Sequence, residues 1–229
     1  MSKKIFYAYT ALGIVHLIGE LTDNQVIISL TKPLLMVFLA IYFIYSVGLK
    51  TKSNMLIFVG LLFSQVGDTL LMYVTINPNF FLAGLGAFLV TQILYTLSFY
   101  LYENENQGFI KQKPYFILPF LAYLGGLLYF LIPNIPPVFA LPIVVYACVI
   151  TIMAIAACSL ATKMKYANWK ILFYGVMLFL ISDSLIAVNK FLMSLPFSEF
   201  LIMLTYILGQ FMIVEGVRKE KEFLRSQMV

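Results

Sequence analysis

Long apolar stretches, separated by short polar segments, run along the whole of this 229-residue chain. A helix needs about 20 mainly apolar residues to cross a bilayer. Pro, Asn and Lys residues interrupt the apolar stretches often enough to mark their ends. The pattern therefore predicts an all-α fold, a bundle of eight membrane-spanning helices over 4–21, 31–48, 54–75, 80–102, 115–132, 137–161, 169–188 and 199–216.

The segments between the apolar stretches are short. Among them are LKTKSN, TINPN, ENENQGFIKQKP, PNIPP and KMKYAN, and none has room for a soluble domain. We therefore expect one membrane domain over 1–229 that acts within the bilayer or at its edge.

The composition agrees with a membrane protein and excludes other classes. Hydrophobic residues make up 62% of the chain and charged residues 11%, whereas soluble domains average about 45–50% apolar and about 25% charged residues. The net charge of +5 is carried by too few residues to form the basic face that nucleic acid requires. One histidine and two cysteines cannot supply the three or four ligands of a usual zinc or iron site, so we expect no metal and no other cofactor.

The basic residues are distributed unevenly over the polar segments. Lys and Arg accumulate in short cytoplasmic segments of membrane proteins, and 13 of the 15 fall on one side of the predicted bundle. These are Lys3, Lys4, Lys50, Lys52, Lys111, Lys113, Lys163, Lys165, Lys170, Arg218, Lys219, Lys221 and Arg225. We therefore predict a multi-pass protein with cytoplasmic termini. Its short loops fit a bacterial inner membrane, and a eukaryotic internal membrane is the alternative. Lys32 and Lys190 remain on the outer side, where they either snorkel to the interface or have a separate role.

An internal repeat relates two of the predicted helices. GLLFSQVGDTLLM (60–72) aligns without a gap on GVMLFLISDSLIA (175–187), and Thr91-Gln92 corresponds more weakly to Gly209-Gln210. The offset of 115 residues spans four predicted helices, so both copies run in the same direction. The repeat predicts two parallel four-helix halves, about 1–113 and 114–229, related by an axis along the membrane normal.

Asp68 and Asp183 are the most informative polar residues in the predicted helices. A carboxylate at the centre of a bilayer costs at least about 2.5–3.5 kcal/mol, so such residues are candidates for function. Each aspartate lies about 14 residues, or about 21 Å, into a helix that begins on the cytoplasmic side. Both are expected at one depth in the outer half of the membrane, either as functional groups or as anchors that hydrogen-bond between helices.

Other polar residues are predicted at the same level. Glu20 ends the first helix and Lys32 begins the second, while Asn189 and Lys190 close the seventh. His16 shares a helix face with Glu20, because residues four apart are neighbours on a helix. One pocket could collect these groups, although the lysines are also interpretable as counter-ions and the histidine as a core residue. By composition alone, the remaining candidates are interpretable as helix contacts: Gln92, Gln210, Tyr95 and Tyr206.

Two carboxyl groups at one depth suggest acid–base chemistry. In a partly dehydrated site they resist simultaneous ionisation, so one keeps its proton near neutral pH while the other is anionic. The pair could hydrolyse an acid-labile bond, with one group donating a proton and the other guiding water. It could equally carry protons for a transporter.

Several short motifs occur in an order that is fairly specific as a set. They are Thr31-Lys32-Pro33-Leu34, Gly67-Asp68-Thr69-Leu70-Leu71, Gly84-Leu85-Gly86-Ala87-Phe88 running on to Tyr95, Leu180-Ile181-Ser182-Asp183-Ser184, Asn189-Lys190-Phe191, and Tyr206 with Gly209-Gln210. With these motifs the chain resembles the YhhN family of membrane lysoplasmalogenases over nearly its whole length. The resemblance implies an eight-helix enzyme that cleaves the vinyl ether bond of lysoplasmalogens, releasing a fatty aldehyde and glycerophosphoethanolamine or glycerophosphocholine.

The resemblance also implies roles for the candidate residues. One of Asp68 and Asp183 donates a proton to the vinyl ether, and the other stabilises the resulting cation and orients water. Lys32, together with Lys190, binds the phosphate of the lysophospholipid substrate, whose single chain enters from the surrounding membrane lipid. The other residues implied in substrate binding are Asn189, Glu20, Gln92, Tyr95, Tyr206 and Gln210.

Gln92 departs from the family pattern, because relatives often have histidine at this position. Glutamine cannot shuttle protons. The departure implies that the histidine is not essential, that His16 takes its place, or that this chain acts on another substrate.

Two other functions are consistent with the sequence. A two-fold repeat with buried acids is also expected of a proton-coupled lipid or small-solute transporter, although matching Gly and Pro breaks are not evident in the two halves. A structural or accessory membrane subunit is harder to reconcile with so many polar groups at one depth.

Overall fold

The computed structural model of the chain describes residues 2–102 and 108–227, and the secondary structure in these ranges is helical. Residues 103–107, which belong to the predicted connection ENENQGFIKQKP, lie outside the described residues. The chain divides into two compact units, Met1–Leu101 and Tyr102–Val229.

The first unit contains four long helices, α1 (Ser2–Leu21), α2 (Gln25–Ser46), α3 (Lys52–Met72) and α4 (Asn79–Tyr100). Side-chain caps begin two of them. The Asn24 side chain accepts hydrogen bonds from the backbone N–H groups of Val26 and Ile27. The Thr51 hydroxyl accepts one from the backbone N–H of Asn54. Such caps satisfy amide groups that the first turn of a helix leaves without partners.

The start of α2 differs from the sequence prediction. The predicted helix begins at residue 31, whereas α2 begins at Gln25 and contains Pro33 in its interior. The Asn24 cap supplies the earlier start. A proline inside a membrane helix is tolerated when neighbouring groups satisfy the carbonyl that it leaves without a partner.

The second unit contains α5 (Phe109–Gln112), α6 (Leu118–Leu131), α7 (Pro137–Ser159), α8 (Tyr166–Phe191) and α9 (Ser198–Ser226). Three short 3₁₀ turns adjoin α6 and α7, over Pro114–Ile117, Ile132–Asn134 and Leu160–Thr162. Proline begins the first of these turns and α7 itself. A proline is favourable there because its missing N–H would have no partner in a first turn.

The last helix is longer than predicted. α9 ends at Ser226, whereas the predicted helix ends at residue 216. Its added part is polar, and Arg218 lies 2.6 Å from Glu215 and 2.5 Å from Glu222. Because residues three and four apart are neighbours on a helix, these ion pairs favour continuation of α9 beyond its apolar part.

Seven helical segments within the described ranges are long and apolar enough to cross a membrane. They are Gln25–Ser46, Lys52–Met72, Asn79–Tyr100, Pro114–Asn134, Pro137–Thr162, Tyr166–Phe191 and Ser198–Gln227. The prediction of an all-helical, multi-pass membrane protein is therefore confirmed. α1 is helical over 20 residues, but it carries Lys3, Lys4, His16 and Glu20, which lower its apolar character. An eighth span, the two parallel halves and the cytoplasmic termini stay predictions.

Small residues allow close contact between antiparallel helices α3 and α4 in the first unit. The Ser64 hydroxyl donates to Thr91 Oγ1 at 3.1 Å, and the Thr91 hydroxyl donates to the Gly60 carbonyl at 3.0 Å. A Cβ atom on Gly60 would lie only 2.5 Å from the Tyr95 ring. Glycine at this position therefore lets the Tyr95 ring lie directly on the backbone of α3.

The antiparallel pair α8 and α9 makes a similar contact in the second unit. A Cβ atom on Gly175 would lie 2.7 Å from the backbone nitrogen of Ile213 and 2.8 Å from the carbonyl oxygen of Gly209. Gly175 and Gly209 are the residues that the repeat aligns with Gly60 and Thr91. In each unit, these aligned positions thus lie where the helix that carries the buried aspartate packs against the next long helix of the chain.

The α8–α9 contact predicts the effect of adding one methyl group. Gly175→Ala should destabilise the protein by about 1–3 kcal/mol, because the backbone atoms that meet the new Cβ cannot move without separating the helices. Gly125→Ala in α6 is the control, since a Cβ atom there has no neighbour within 4 Å. Thermal unfolding of the purified protein in detergent measures both, and equal melting temperatures would contradict the described packing.

Candidate functional site

Asp183 lies in α8 with 9% of its surface exposed. The Tyr146 hydroxyl of α7 donates a hydrogen bond to Asp183 Oδ2 at 2.5 Å. This length is typical of a strong bond between a hydroxyl and a carboxyl group, and it fixes the orientation of the carboxyl group. On the neighbouring residue, the Ser182 hydroxyl donates to the Ile202 carbonyl of α9 at 3.0 Å. One turn of α8 is therefore bonded to helices on two sides.

A second tyrosine approaches this turn from α6. The Tyr123 hydroxyl contacts the Ser184 hydroxyl, and Ser184 donates its own proton to the Leu180 carbonyl at 2.6 Å. Because a serine hydroxyl has one proton, Tyr123 is the donor in its contact with Ser184. Tyr123 also lies near Asp183. The hydroxyl groups of Tyr146 and Tyr123 therefore both lie at the turn of α8 that carries this carboxyl group.

Asp68 lies in α3 and is 3% exposed. Tyr9 of α1 lies near Asp68, and Tyr95 of α4 lies near Tyr9. Both tyrosines are buried. A Cβ atom on Gly67, the neighbour of Asp68, would lie 2.6 Å from the Phe88 ring. Asp68 is thus a deeply buried acid with a tyrosine in its surroundings, as Asp183 is.

His16, the single histidine of the chain, joins α1 to α2. Its Nδ1 atom lies 2.8 Å from Thr31 Oγ1, and the Thr31 hydroxyl donates to the Ile27 carbonyl at 2.7 Å. Since the Thr31 proton is used in that bond, Nδ1 of His16 must carry a proton and donate it to Thr31.

The other nitrogen of His16 faces an acid. Nε2 lies 3.2 Å from Glu20 Oε1, and the two side chains are 0% and 5% exposed. The two atoms are not aligned as a hydrogen bond. The two residues are four apart in the chain, so both side chains lie on one face of α1. Glu20 therefore has a histidine as its neighbour on the same helix.

The two lysines that the sequence places on the outer side differ in their surroundings. Lys32 is half-buried in α2, and its ammonium group makes no ion pair with the described residues. Lys190 is exposed in the last turn of α8, where Nζ lies 5.9 Å from the centre of the Phe191 ring. Neighbouring Asn189 accepts a hydrogen bond from the Leu195 backbone N–H at 2.9 Å. This bond gives Asn189 a local role in the turn after α8.

The remaining predicted residues are buried in helix contacts. Gln92 and Gln210 are 0% exposed in α4 and α9. The Tyr206 ring lies 5.9 Å from the Phe179 ring, and the Tyr95 ring lies 6.3 Å from the Phe99 ring. Packing explains the burial of these four side chains, and their predicted contact with substrate stays a prediction.

The predicted site residues are divided between the two units. Glu20, Lys32, Asp68, Gln92 and Tyr95 belong to the first unit, and Asp183, Asn189, Lys190, Tyr206 and Gln210 belong to the second. Within the first unit, Tyr9 lies near both Asp68 and Tyr95. The convergence of all ten residues on one pocket stays a prediction.

The sequence does not predict one further buried acid, Glu220 in α9. It is 2% exposed, and its carboxylate accepts hydrogen bonds from the Lys165 backbone N–H at 3.1 and 3.2 Å and from Asn168 Nδ2 at 2.9 Å. Burial, and secondarily the Glu220 charge, raise the pKa of Tyr102 above its ordinary value. Glu220 thus accepts hydrogen bonds from groups at the start of α8, where the partial positive charge of the helix end stabilises a carboxylate. The burial of Glu220 is not evident from the sequence, because this residue lies among charged residues near the end of α9.

No group of three or more His, Cys, Asp or Glu residues in the described ranges is arranged to hold a metal ion. The carboxyl groups of Asp68, Asp183 and Glu20 instead have tyrosine or histidine neighbours. The chemistry that these surroundings offer is proton donation and acceptance by carboxyl groups largely removed from water.

Comparison with known proteins decides the family. The model of the YhhN family matches residues 27–217. The chain belongs to the YhhN family. The match includes Lys32, Asp68 and Asp183, whereas His16 and Glu20 precede it.

Curated relatives of this YhhN chain are named as lysoplasmalogenases. A Bos taurus and a Homo sapiens protein, both named lysoplasmalogenase TMEM86A, are each 31% identical to it over 172 residues, which is 72% of this chain and 66% of the relative. A Homo sapiens protein named lysoplasmalogenase TMEM86B is 29% identical over 154 residues, 67% of this chain and 59% of the relative. The chain thus spans just under two thirds of the length of the two TMEM86A proteins. No solved structure matches it.

The hydrogen bonds around His16 predict its tautomer. In protein labelled with ¹⁵N-histidine, the one imidazole should show a protonated Nδ1, because Thr31 can only accept from it. Thr31→Val should remove this preference, since valine offers no acceptor. Thr22→Val is the matched control, because the exposed Thr22 hydroxyl bonds only within α1. An unprotonated Nδ1 in the unaltered protein would contradict the assignment.

Proposed function

We propose that this chain is a lysoplasmalogenase, which hydrolyses the vinyl ether bond of a lysoplasmalogen to a fatty aldehyde and glycerophosphoethanolamine or glycerophosphocholine. The observation that carries the proposal is the buried Asp183 carboxyl group, oriented by Tyr146 at 2.5 Å within an apolar helical unit. Family membership and the similarity to proteins named lysoplasmalogenase support the same reaction.

The reaction requires a positioned acid. A carboxylic acid transfers its proton to the outer carbon of the vinyl ether, so that a C–H bond forms and the O–H bond of the acid breaks. Positive charge then develops on the carbon bound to oxygen. A carboxylate stabilises this oxocarbenium ion, as in glycoside cleavage, and the stabilisation is larger where water is excluded.

Water completes the cleavage. It adds to the charged carbon and gives up a proton to a carboxylate, which restores the acid. The hemiacetal that results collapses to the aldehyde and releases the glycerol oxygen as an alcohol. One water molecule is consumed, and neither oxidant nor reductant is needed. Asp68 and Asp183 are our candidates for the two carboxyl groups of this sequence, with Lys32 and Lys190 as candidates for the phosphate.

The proposal includes the finer points of topology that the sequence predicts. We propose that α1 is an eighth span, that the termini are cytoplasmic and that the membrane is a bacterial inner membrane. The half-buried Lys32, which lacks an ion-pair partner among the described residues, suits a phosphate at the outer level. Relatives often have histidine at the position of Gln92. His16, the single histidine of this chain, is our candidate to take the place of that residue, with Glu20 beside it.

A proton-coupled transporter is the second candidate, because buried acids also serve as proton carriers. It predicts substrate-dependent proton uptake into liposomes with no product formed. A structural subunit predicts that both aspartates tolerate replacement by asparagine without loss of function.

Aldehyde release from a lysoplasmalogen by purified protein tests the proposal. Asp183→Asn and Asp68→Asn should each lower turnover at least about 100-fold, because the amide cannot donate the proton or stabilise the cation. Asp23→Asn is the matched control, since Asp23 is an exposed carboxylate in the turn after α1 and should retain full activity.

Thermal unfolding of each variant separates lost chemistry from lost folding. A folded Asp183→Asn protein with full turnover would overturn the proposal. A folded wild-type protein that releases no aldehyde but takes up protons with its substrate would favour the transporter.

A further inference from the structure

A long apolar groove lies within the second unit, between α6 and α8. Its volume is about 680 Å³, within the range of about 300–1,000 Å³ that small-molecule sites occupy. Trp169, Phe173, Met177 and Leu180 of α8 form one wall, and Phe120 and Tyr123 of α6 form the other. We call this site the aromatic groove.

One end of the aromatic groove lies at the Asp183 turn. Tyr123 and Leu180 line this end. The Tyr123 hydroxyl contacts Ser184, which also donates to the Leu180 carbonyl, and Ser184 adjoins Asp183 in the chain. The apolar walls therefore stop at the polar groups that surround the buried carboxyl.

The other end lies at the start of α8. Phe109 and Tyr166 line it. Lys113 Nζ lies 5.7 Å from the centre of the Phe109 ring, and Lys170 Nζ lies 4.3 Å from the centre of the Tyr166 ring. Trp169 stacks between Tyr166 and Phe173, with ring centres 5.5 and 5.3 Å away. Stacked rings and the cations above them hold this end of the groove in shape.

The length of the groove suits a fatty chain. Tyr166 and Leu180 are 14 positions apart on the wall of α8, about 21 Å at a rise of about 1.5 Å per residue. An extended hydrocarbon chain with bonds of about 1.5 Å advances about 1.3 Å per carbon. About 16 carbons therefore span the distance between the two ends.

We propose that the aromatic groove binds the hydrocarbon chain of a single-chain ether lipid, with its first carbons at Asp183 and its methyl end at Tyr166. The inference rests on the proposed function and deepens it in two ways. It makes Asp183, rather than Asp68, the acid that meets the vinyl ether. It also makes the groove a determinant of chain length.

The opposite orientation of the lipid is unproductive. With the phosphate on Lys170, the reactive bond would lie near the start of α8, and Asp183 is 13 residues or about 20 Å farther along the helix. The vinyl ether is close to the phosphate in a lysoplasmalogen, so the acid could not reach it. Charge at the Tyr166 end therefore does not define the headgroup site in this proposal.

The single tryptophan of the chain provides a binding test that does not depend on turnover. Trp169 lies 11 residues from Leu180, at the proposed methyl end. The probes are two saturated 16-carbon alkyl lysophosphocholines, brominated either at the last two carbons or at carbons 4 and 5, added to protein in bromine-free detergent. The terminally brominated probe should quench Trp169 fluorescence saturably and at least 3-fold more strongly than the other.

The opposite preference would overturn the proposed orientation, and the absence of saturable quenching would overturn the site. Competition by an unbrominated single-chain ether lipid should restore the fluorescence. Equal competition by a two-chain phospholipid would show a general lipid contact and would also contradict the proposal. Each of these results stands whether or not the protein releases aldehyde, so a failed groove and a failed enzymatic function are distinguishable.

A shortened groove gives the functional test. Ala161→Phe places a ring at the Tyr166 end, where Ala161 lines the groove. It should lower turnover of a 16-carbon lysoplasmalogen at least 10-fold while turnover of a 10-carbon substrate changes less than 3-fold. Ala122→Phe, the same change at an exposed position of α6, should leave both rates unchanged. Equal loss for both chain lengths in a folded Ala161→Phe protein would overturn the chain-length role.

Discussion

Close contact between antiparallel helices, made possible by glycine, accompanies the buried acids of this protein. Gly60 and Gly67 let the rings of Tyr95 and Phe88 lie directly on α3, and Gly175 lets the backbone of α9 lie on α8. In an apolar solvent helices gain little from hydrophobic association, so close packing and interhelical hydrogen bonds must hold them together. Gly60 and Gly175 each precede a buried aspartate by eight residues, about two turns, so Asp68 and Asp183 lie on the helices that these contacts hold close to their neighbours.

Burial of a carboxyl group in this setting requires polar partners, either on a neighbouring helix or on its own. Asp183 receives a hydrogen bond from Tyr146, and Glu20 lies against His16. Glu220 has a different role. It accepts hydrogen bonds from Lys165 and Asn168 at the start of α8 and so holds that end of the helix against α9. The same helix carries Asp183 and the wall of the aromatic groove, so one structural acid supports the placement of the proposed chemistry.

The sequence predicts the helical, multi-pass fold and the burial of Asp68 and Asp183, because long apolar runs and isolated carboxyl groups are local signals. It does not predict Tyr146 or Tyr123, since tyrosine is common in these helices and only the packing of α6, α7 and α8 selects these two. The early start of α2 was missed because the Asn24 cap is a weaker signal than Pro33. Glu220 was missed because its burial depends on the fold, not on its charged surroundings.

Proton transfer to carbon is the central claim, and deuterium incorporation tests it most directly. Hydrolysis of a lysoplasmalogen by the purified protein in D₂O, with immediate reduction of the aldehyde to the alcohol, preserves the label for mass spectrometry. The account predicts one deuterium, in a single configuration, on the carbon next to the former carbonyl carbon in every product molecule, and no such product from Asp183→Asn. A racemic label at that carbon would contradict proton delivery by an acid that the protein holds in place.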